Sequence, residues 1–184
     1  FLMQQYRALL DLPPEPGLEL LPVRVVADLS SPFVKTLVAK GGENIGIEAG
    51  LAVIGTNGLI GRVISSGQQS SRILLLTDFN SNIPVVALAS DVHAILAGRN
   101  NASPELQFIP RKAELKDGDL LVTSGRGGRI PIGLPVGLLR LDADGGVPKV
   151  ELLDDVKGLI HVRVVKSAQI EAPPDIDPSA RKGR

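Results

Sequence analysis

The chain has no cysteine and no tryptophan, and only one tyrosine and four phenylalanines among its 184 residues. Without cysteine it can form neither a disulfide framework nor a thiolate metal site, so composition names no redox compartment. So few rings cannot build the stacking platform that single-stranded nucleic acid needs, and stacking on sugars suffers equally. Neither sign of charge prevails: 20 Lys and Arg balance 20 Asp and Glu. No net field steers nucleic acid or an acidic membrane surface towards the protein, which argues against a nucleic-acid partner. Long apolar runs are missing too. No stretch reaches the roughly 18 to 20 uninterrupted apolar residues that span a bilayer. The opening Phe1-Leu2-Met3-Gln4-Gln5-Tyr6-Arg7 lacks the layout of a signal peptide. It starts in mid-pattern without an initiator Met, so the expectation is a piece of a longer chain with any anchor upstream.

What is present is core material. Hydrophobic residues make up 43% of the chain, mostly Leu, Ile and Val, enough for one large domain or two small ones. Residues 1–12 place Met3, Tyr6 and Leu10 on one helical face beside Leu2 and Leu9, before Pro13-Pro14 ends the helix. Such a helix either caps the first domain or forms the last turns of a dimerising coiled coil, because so short a piece is marginal alone. In the second reading Met3, Tyr6 and Leu10 are the dimerisation contacts.

From Val23 the grammar changes to period two. Val23, Val25 and Ala27 alternate with Arg24 and Asp28, and Ile160, Val162 and Val164 alternate with His161 and Arg163, the pattern of half-buried antiparallel strands. Asn57-Gly58 and Asp144-Gly145-Gly146 stand between apolar runs, and both read as hairpin turns with positive φ. About twelve strands are predicted, near 23–29, 33–39, 51–55, 59–65, 72–77, 84–90, 92–97, 105–110, 119–123, 135–141, 147–153 and 159–166. No helical period intervenes.

Twelve short strands exceed one small barrel, so the expected fold class is all-β, with two small six-stranded β-barrels after the short N-terminal helix. The polar junctions Gly41-Gly42-Glu43-Asn44 and Arg111-Lys112-Ala113-Glu114-Leu115-Lys116 flank six of these strands. They suggest nesting: residues 46–112 form the second barrel, inserted between 23–45 and 113–168 of the first. A tandem split near residue 112 is the alternative. The tail 169–184 combines proline and charge without apolar period and is expected to be disordered.

Chemistry is hard to find. The only histidines are His93 and His161. A serine hydrolase on chymotrypsin-like barrels would have to use His93, Asp117 or Asp119, and Ser124, compressing into a short stretch three elements that normally come from distant strands. Each histidine lies opposite the apolar face of its strand and lacks a partner at metal-ligand spacing, so no metal is expected. The segment Gly125-Arg126-Gly127-Gly128-Arg129-Ile130-Pro131-Ile132-Gly133 has no Gly-Lys-Ser/Thr ending and no following helix. It therefore reads as a connection rather than a phosphate loop, and no cofactor is implied. Arg126 and Arg129 remain as a small basic contact patch. Asp78 reads as a turn residue after a buried strand, and Asn101-Ala102-Ser103 as an incidental sequon.

Three segments together resemble the MreC family: K-G-G-E-N-I-G-I-E-A-G-L-A-V-I-G-T-N-G-L-I-G-R-V-I from Lys40, S-S-R-I-L-L-L-T-D from Ser70, and G-D-L-L-V-T-S-G-R-G-G-R-I-P-I-G-L-P-V-G from Gly118, with Ile130 where the family usually has Phe. The resemblance runs from about Val23 to Val165 and implies two β-barrels in the periplasm, carried by a dimerising coiled coil and an inner-membrane anchor that lies outside this chain. It also implies a non-catalytic scaffold of cell elongation. The implied partners are the elongation-specific class B penicillin-binding transpeptidase, MreD and further copies of itself.

Overall fold

The computed structural model describes residues 18–127 and 130–167. The expected helix with Met3, Tyr6 and Leu10 and the expected disordered tail lie outside these residues. Within them the chain forms twelve strands and one short 3-10 turn, Glu43–Ile45.

The strands close into two antiparallel barrels of six. The first comprises β1 (Leu18–Asp28), β2 (Thr36–Lys40), β3 (Ala52–Ile54), β4 (Leu59–Ser66), β5 (Ser70–Leu75) and β12 (His161–Ser167), in the order β1-β12-β3-β4-β5-β2. The second comprises β6 (Asn82–Ala87), β7 (Val92–Ala97), β8 (Glu105–Gln107), β9 (Leu120–Thr123), β10 (Pro135–Arg140) and β11 (Lys149–Leu152), in the order β10-β11-β8-β7-β6-β9. Closure removes the free edges that short, alternating strands would otherwise expose.

One barrel is inserted in the other, but not where the polar junctions pointed. The strands of the inserted barrel run from 82 to 152, and those of its host occupy 18–75 and 161–167. The expected division of 46–112 from 23–45 and 113–168 is thereby corrected, and so is the tandem split near 112. The physical reason is that polar loops mark ordinary turns here. Residues 41–46 wrap beneath the first barrel, where the amide of Gly41 donates to the Gln69 carbonyl and that of Glu43 to the Gly67 carbonyl. Residues 108–119 merely connect β8 to β9 within the second barrel. The true crossings, 76–81 and 153–160, are short and partly buried.

Two apolar clusters hold the barrels. The interior of the first contains Val23, Leu37, Val53, Val63, Ile73 and Val164. The other combines the interior of the second barrel, such as Val85, Leu96, Leu121 and Leu139, with Ala52, Ile54, Leu59 and Val165 from the outside of the first. Strand β3 shows how this works: Val53 points into its own barrel while Ala52 and Ile54 join the shared cluster, so all three residues are buried. Burying apolar surface at about 25 cal/mol per Å2 makes this continuous seam, rather than any one hydrogen bond, the main force joining the barrels.

Candidate interaction surface at the barrel junction

Three carboxylates brace loops in and around the junction. Asp78, fully buried just after β5, accepts the backbone N–H of Lys35 at 2.7 Å through Oδ2 and that of Asn80 at 2.8 Å through Oδ1. It thus ties the β1–β2 loop to the crossing between barrels, a larger part than the turn residue expected from its position. Asp154, beyond β11, reaches the β3–β4 turn, where its Oδ2 accepts the amides of Asn57 at 2.9 Å and Gly58 at 2.8 Å. Neither Asn57 nor Gly58 adopts positive φ, contrary to the expected tight-turn geometry. The Asp154 carboxylate and a Gly55 N–H bond to the Gly58 carbonyl shape this turn instead. Glycine is needed at 58 for close approach, since a Cβ there would stand 2.5 Å from the Pro135 carbonyl oxygen. Asp119 performs a similar service within the second barrel, accepting the Ala89 amide at 3.0 Å and the Ser90 hydroxyl at 3.1 Å.

The glycine-rich segment is held by Thr123. Its buried hydroxyl donates to the Pro131 carbonyl at 2.6 Å and accepts the Leu134 amide at 2.9 Å, while its own carbonyl accepts the Gly133 amide. Ser124 is buried as well, and its Oγ accepts the Arg126 amide at 3.4 Å. His93 sits on β7, separated from β9 by β6, and its Nε2 is 4.0 Å from Asp91. His161 belongs to the other barrel. Ser124 therefore has no hydrogen bond to either histidine among the described residues, and no group of three His, Cys, Asp or Glu there could hold a metal ion.

The three described phenylalanines stand outside both cores. Phe33 is 82% exposed, Phe79 58% and Phe108 81%. Phe33 was expected on a strand near 33–39, but β2 starts at Thr36, leaving Phe33 in the preceding loop. Asn100 brings two of the rings into one loop cluster: its Oδ1 accepts the Phe79 amide at 2.8 Å, and its side-chain N–H donates to the Phe33 carbonyl at 3.5 Å. Arg99 lies 5.9 Å from the centre of the Phe79 ring and pairs with Glu105 at 2.9 Å. Leu29 and Val34, both exposed, belong to the same β1–β2 loop. The result is an apolar surface on braced backbone, the character of a protein-binding anchor rather than of a catalytic pocket. Sequence reasoning missed it, although Ser31-Pro32-Phe33 and Asp78-Phe79-Asn80 carry a signal: a ring flanked by turn formers has no strand to bury it.

Comparison with known proteins agrees with this frame. The family model described as rod shape-determining protein MreC, barrel core, matches residues 25–166. The cell shape-determining protein MreC of Caulobacter vibrioides is 37% identical over 161 residues, covering 88% of this chain and 46% of that protein. The chain thus spans about half the length of the curated relatives it matches. The crystal structure of MreC from Pseudomonas aeruginosa superposes with a TM-score of 0.73 at 30% identity, over 80% of this chain and 99% of that one. Two more distant structures share the fold. The major periplasmic domain from the cell shape-determining filament MreC gives a TM-score of 0.72 at 19% identity, covering 82% of this chain and 99% of that one. MreC in its complex with the penicillin-binding protein PBP2 from Helicobacter pylori gives 0.66 at 18%, covering 83% and 99%. Matched in sequence across both barrels and in structure through the nested topology, the chain belongs to the MreC family of rod shape-determining proteins.

Proposed function

We propose that this chain is the protein-binding part of a cell-shape scaffold, performing no chemistry and acting by holding peptidoglycan-synthesis proteins and further copies of itself in place. The observation that carries this reading is the MreC barrel-core match over residues 25–166, which takes in both barrels and the braced aromatic loops between them. The proposed partner is the class B penicillin-binding transpeptidase of elongation, in line with the complex of PBP2 and MreC from Helicobacter pylori. MreD is a second partner. Self-association is in line with the filament for which a related domain is described. The proposed location is the periplasm, with attachment to the inner membrane through a segment outside this sequence.

The mechanism is differential binding. A scaffold changes an enzyme's state only by binding one arrangement more tightly than another, and the shift cannot exceed that difference. Phe33 and Phe79 are the proposed contacts on this chain. Their backbone is already fixed by Asp78 and Asn100, so docking orders little that is not ordered beforehand. Titrating this chain into the extracytoplasmic part of the transpeptidase tests the reading. Saturable one-to-one binding supports it, and the absence of any binding heat or sedimentation shift at high concentration overturns it.

A further inference from the structure

Three arginines among the described residues are half-buried, and two of them are satisfied within the chain. Arg99 pairs with Glu105 at 2.9 Å, and Arg163 donates to the Gly55 carbonyl at 3.3 Å. Arg62, on β4, has neither an ion pair nor a side-chain hydrogen bond among the described residues. A guanidinium drawn partly out of water, with its fixed fork of donors unused, gains most from a carboxylate brought to it. Its backbone is held on both sides, opposite Ala52 on β3 and Leu74 on β5, so the charge is presented from a rigid wall.

That wall belongs to a groove of about 410 Å3 between the barrels. Across it, the second barrel contributes Arg126, exposed in the glycine-rich loop and likewise without an ion pair or side-chain hydrogen bond among the described residues. Ile64, Ile83, Pro84 and Ile130 supply apolar lining, and among the described residues no Asp or Glu lines the groove. Two unpaired cations above an apolar surface complement a ligand that carries both carboxylates and apolar side chains.

The backbone says what kind of ligand. Strand β9 pairs with β6 only from Val85 to Ala87, and the last bond along that edge runs from the Ser124 N–H to the Pro84 carbonyl. By the alternation of an antiparallel ladder, the N–H and carbonyl of Asn82, two residues earlier, face the same edge. No backbone bond meets them there among the described residues, and Asn82 lines the groove. An open strand edge flanked by side-chain pockets suits an extended polypeptide, which adds main-chain hydrogen bonds to its side-chain contacts.

We infer that the inter-barrel groove is a second docking site, for an extended acidic segment of a partner protein. The segment's backbone pairs at Asn82, its carboxylates meet Arg62 and Arg126, and its apolar side chains rest on Ile64, Ile83 and Ile130. The site shares no residue with the Phe33 and Phe79 cluster, so it stands whether or not those rings bind the transpeptidase.

The test titrates a capped hexapeptide of alternating glutamate and leucine into the isotope-labelled chain and follows the NMR signals. The expected result is saturable shifts of the Gly50, Ile64, Ile83 and Gly127 amides and of the Arg62 Nε–H, with Phe33 and Phe79 unaffected. Replacing every glutamate of the peptide by glutamine should weaken binding at least about tenfold, and so should Arg62→Gln with Arg126→Gln. The glutamine peptide leaves the protein unaltered, so it decides the matter even if the arginine variant folds poorly. Absence of shifts at millimolar peptide overturns the inference, as does equal binding of the glutamine peptide or a response centred on Phe33 and Phe79. Inorganic phosphate reproducing the same shifts at the same concentration would mark a small-anion site and overturn it. Self-association of the chain that is lost in the arginine variant would assign the groove to a second copy, which also overturns it.

Discussion

The Oδ2 atom of Asp154 lies 2.8 Å from the backbone nitrogen of Gly58, joining the end of the inserted barrel to a hairpin of its host across 96 positions of sequence. Asp154 is 8% exposed and Gly58 is buried, so the amide has no water to fall back on. Asp154→Ala leaves the N–H groups of Asn57 and Gly58 unpaired, at a cost of roughly 1–3 kcal/mol each when buried. Asn57 is exposed and recovers part of its share. The expected loss is about 2 kcal/mol in chemical denaturation. Asp154→Asn, which keeps an acceptor, should lose clearly less.

Glycine at 58 is required by space, and glycine at 127 by backbone angle. Gly58→Ala drives a methyl against the Pro135 carbonyl oxygen, and overpacking of this kind costs typically 1–3 kcal/mol, roughly the upper half of that range where backbone must yield. Gly127 has φ +86, and nothing lies within 4 Å of the place a Cβ would take, so Gly127→Ala carries only the left-handed penalty of about 1 kcal/mol. Thermal melts of the two variants should differ in that order, and equal shifts would argue against close approach at 58.

How far the fold was legible follows from strands such as β3 and β7. In β7, buried Val92, Ala94 and Leu96 alternate with half-buried His93 and Ile95, and period two marks it as a strand in one barrel wall. In β3 all three residues are buried because both faces meet cores, and alternation cannot tell which barrel owns it. The same doubling hid the domain boundary. The crossing near Asp78 carries a buried carboxylate that serves backbone amides, and in sequence that looks like any strand end. Of the surface, the glycine-rich loop was visible by its residues. The aromatic cluster was not, because its existence depends on Asn100 drawing two loops together from positions 21 and 67 residues away.

Thr123 should control the glycine-rich loop more than Ser124 does. Thr123→Val removes the donor to Pro131 and the acceptor for Leu134, whereas Ser124→Ala removes only a 3.4 Å contact from Arg126. Hydrogen exchange at Leu134 should accelerate in Thr123→Val and stay close to the parent rate in Ser124→Ala. Matching rates in the two variants would mean that the loop is held by something other than the Thr123 hydroxyl.

Phe33 and Phe79 are exposed, so polar substitution should spare stability and reduce binding. Phe33→Ser with Phe79→Ser should leave the melting temperature nearly unchanged. Truncating aromatic anchors typically costs about 2 kcal/mol or more in affinity, so transpeptidase binding should weaken at least about tenfold. Undiminished affinity would move the contact to another face.

The central claim is that the chain works by binding and not by chemistry, and one variant addresses it directly. His93→Ala, His161→Ala and Ser124→Ala together remove both histidines of the chain and the serine of its glycine-rich loop. Introduced into the full-length protein in a rod-shaped cell that depends on it, the triple variant should keep rod shape and bind the transpeptidase with the parent affinity. Cells that round up while the variant remains folded, abundant and bound to its partner would contradict the account.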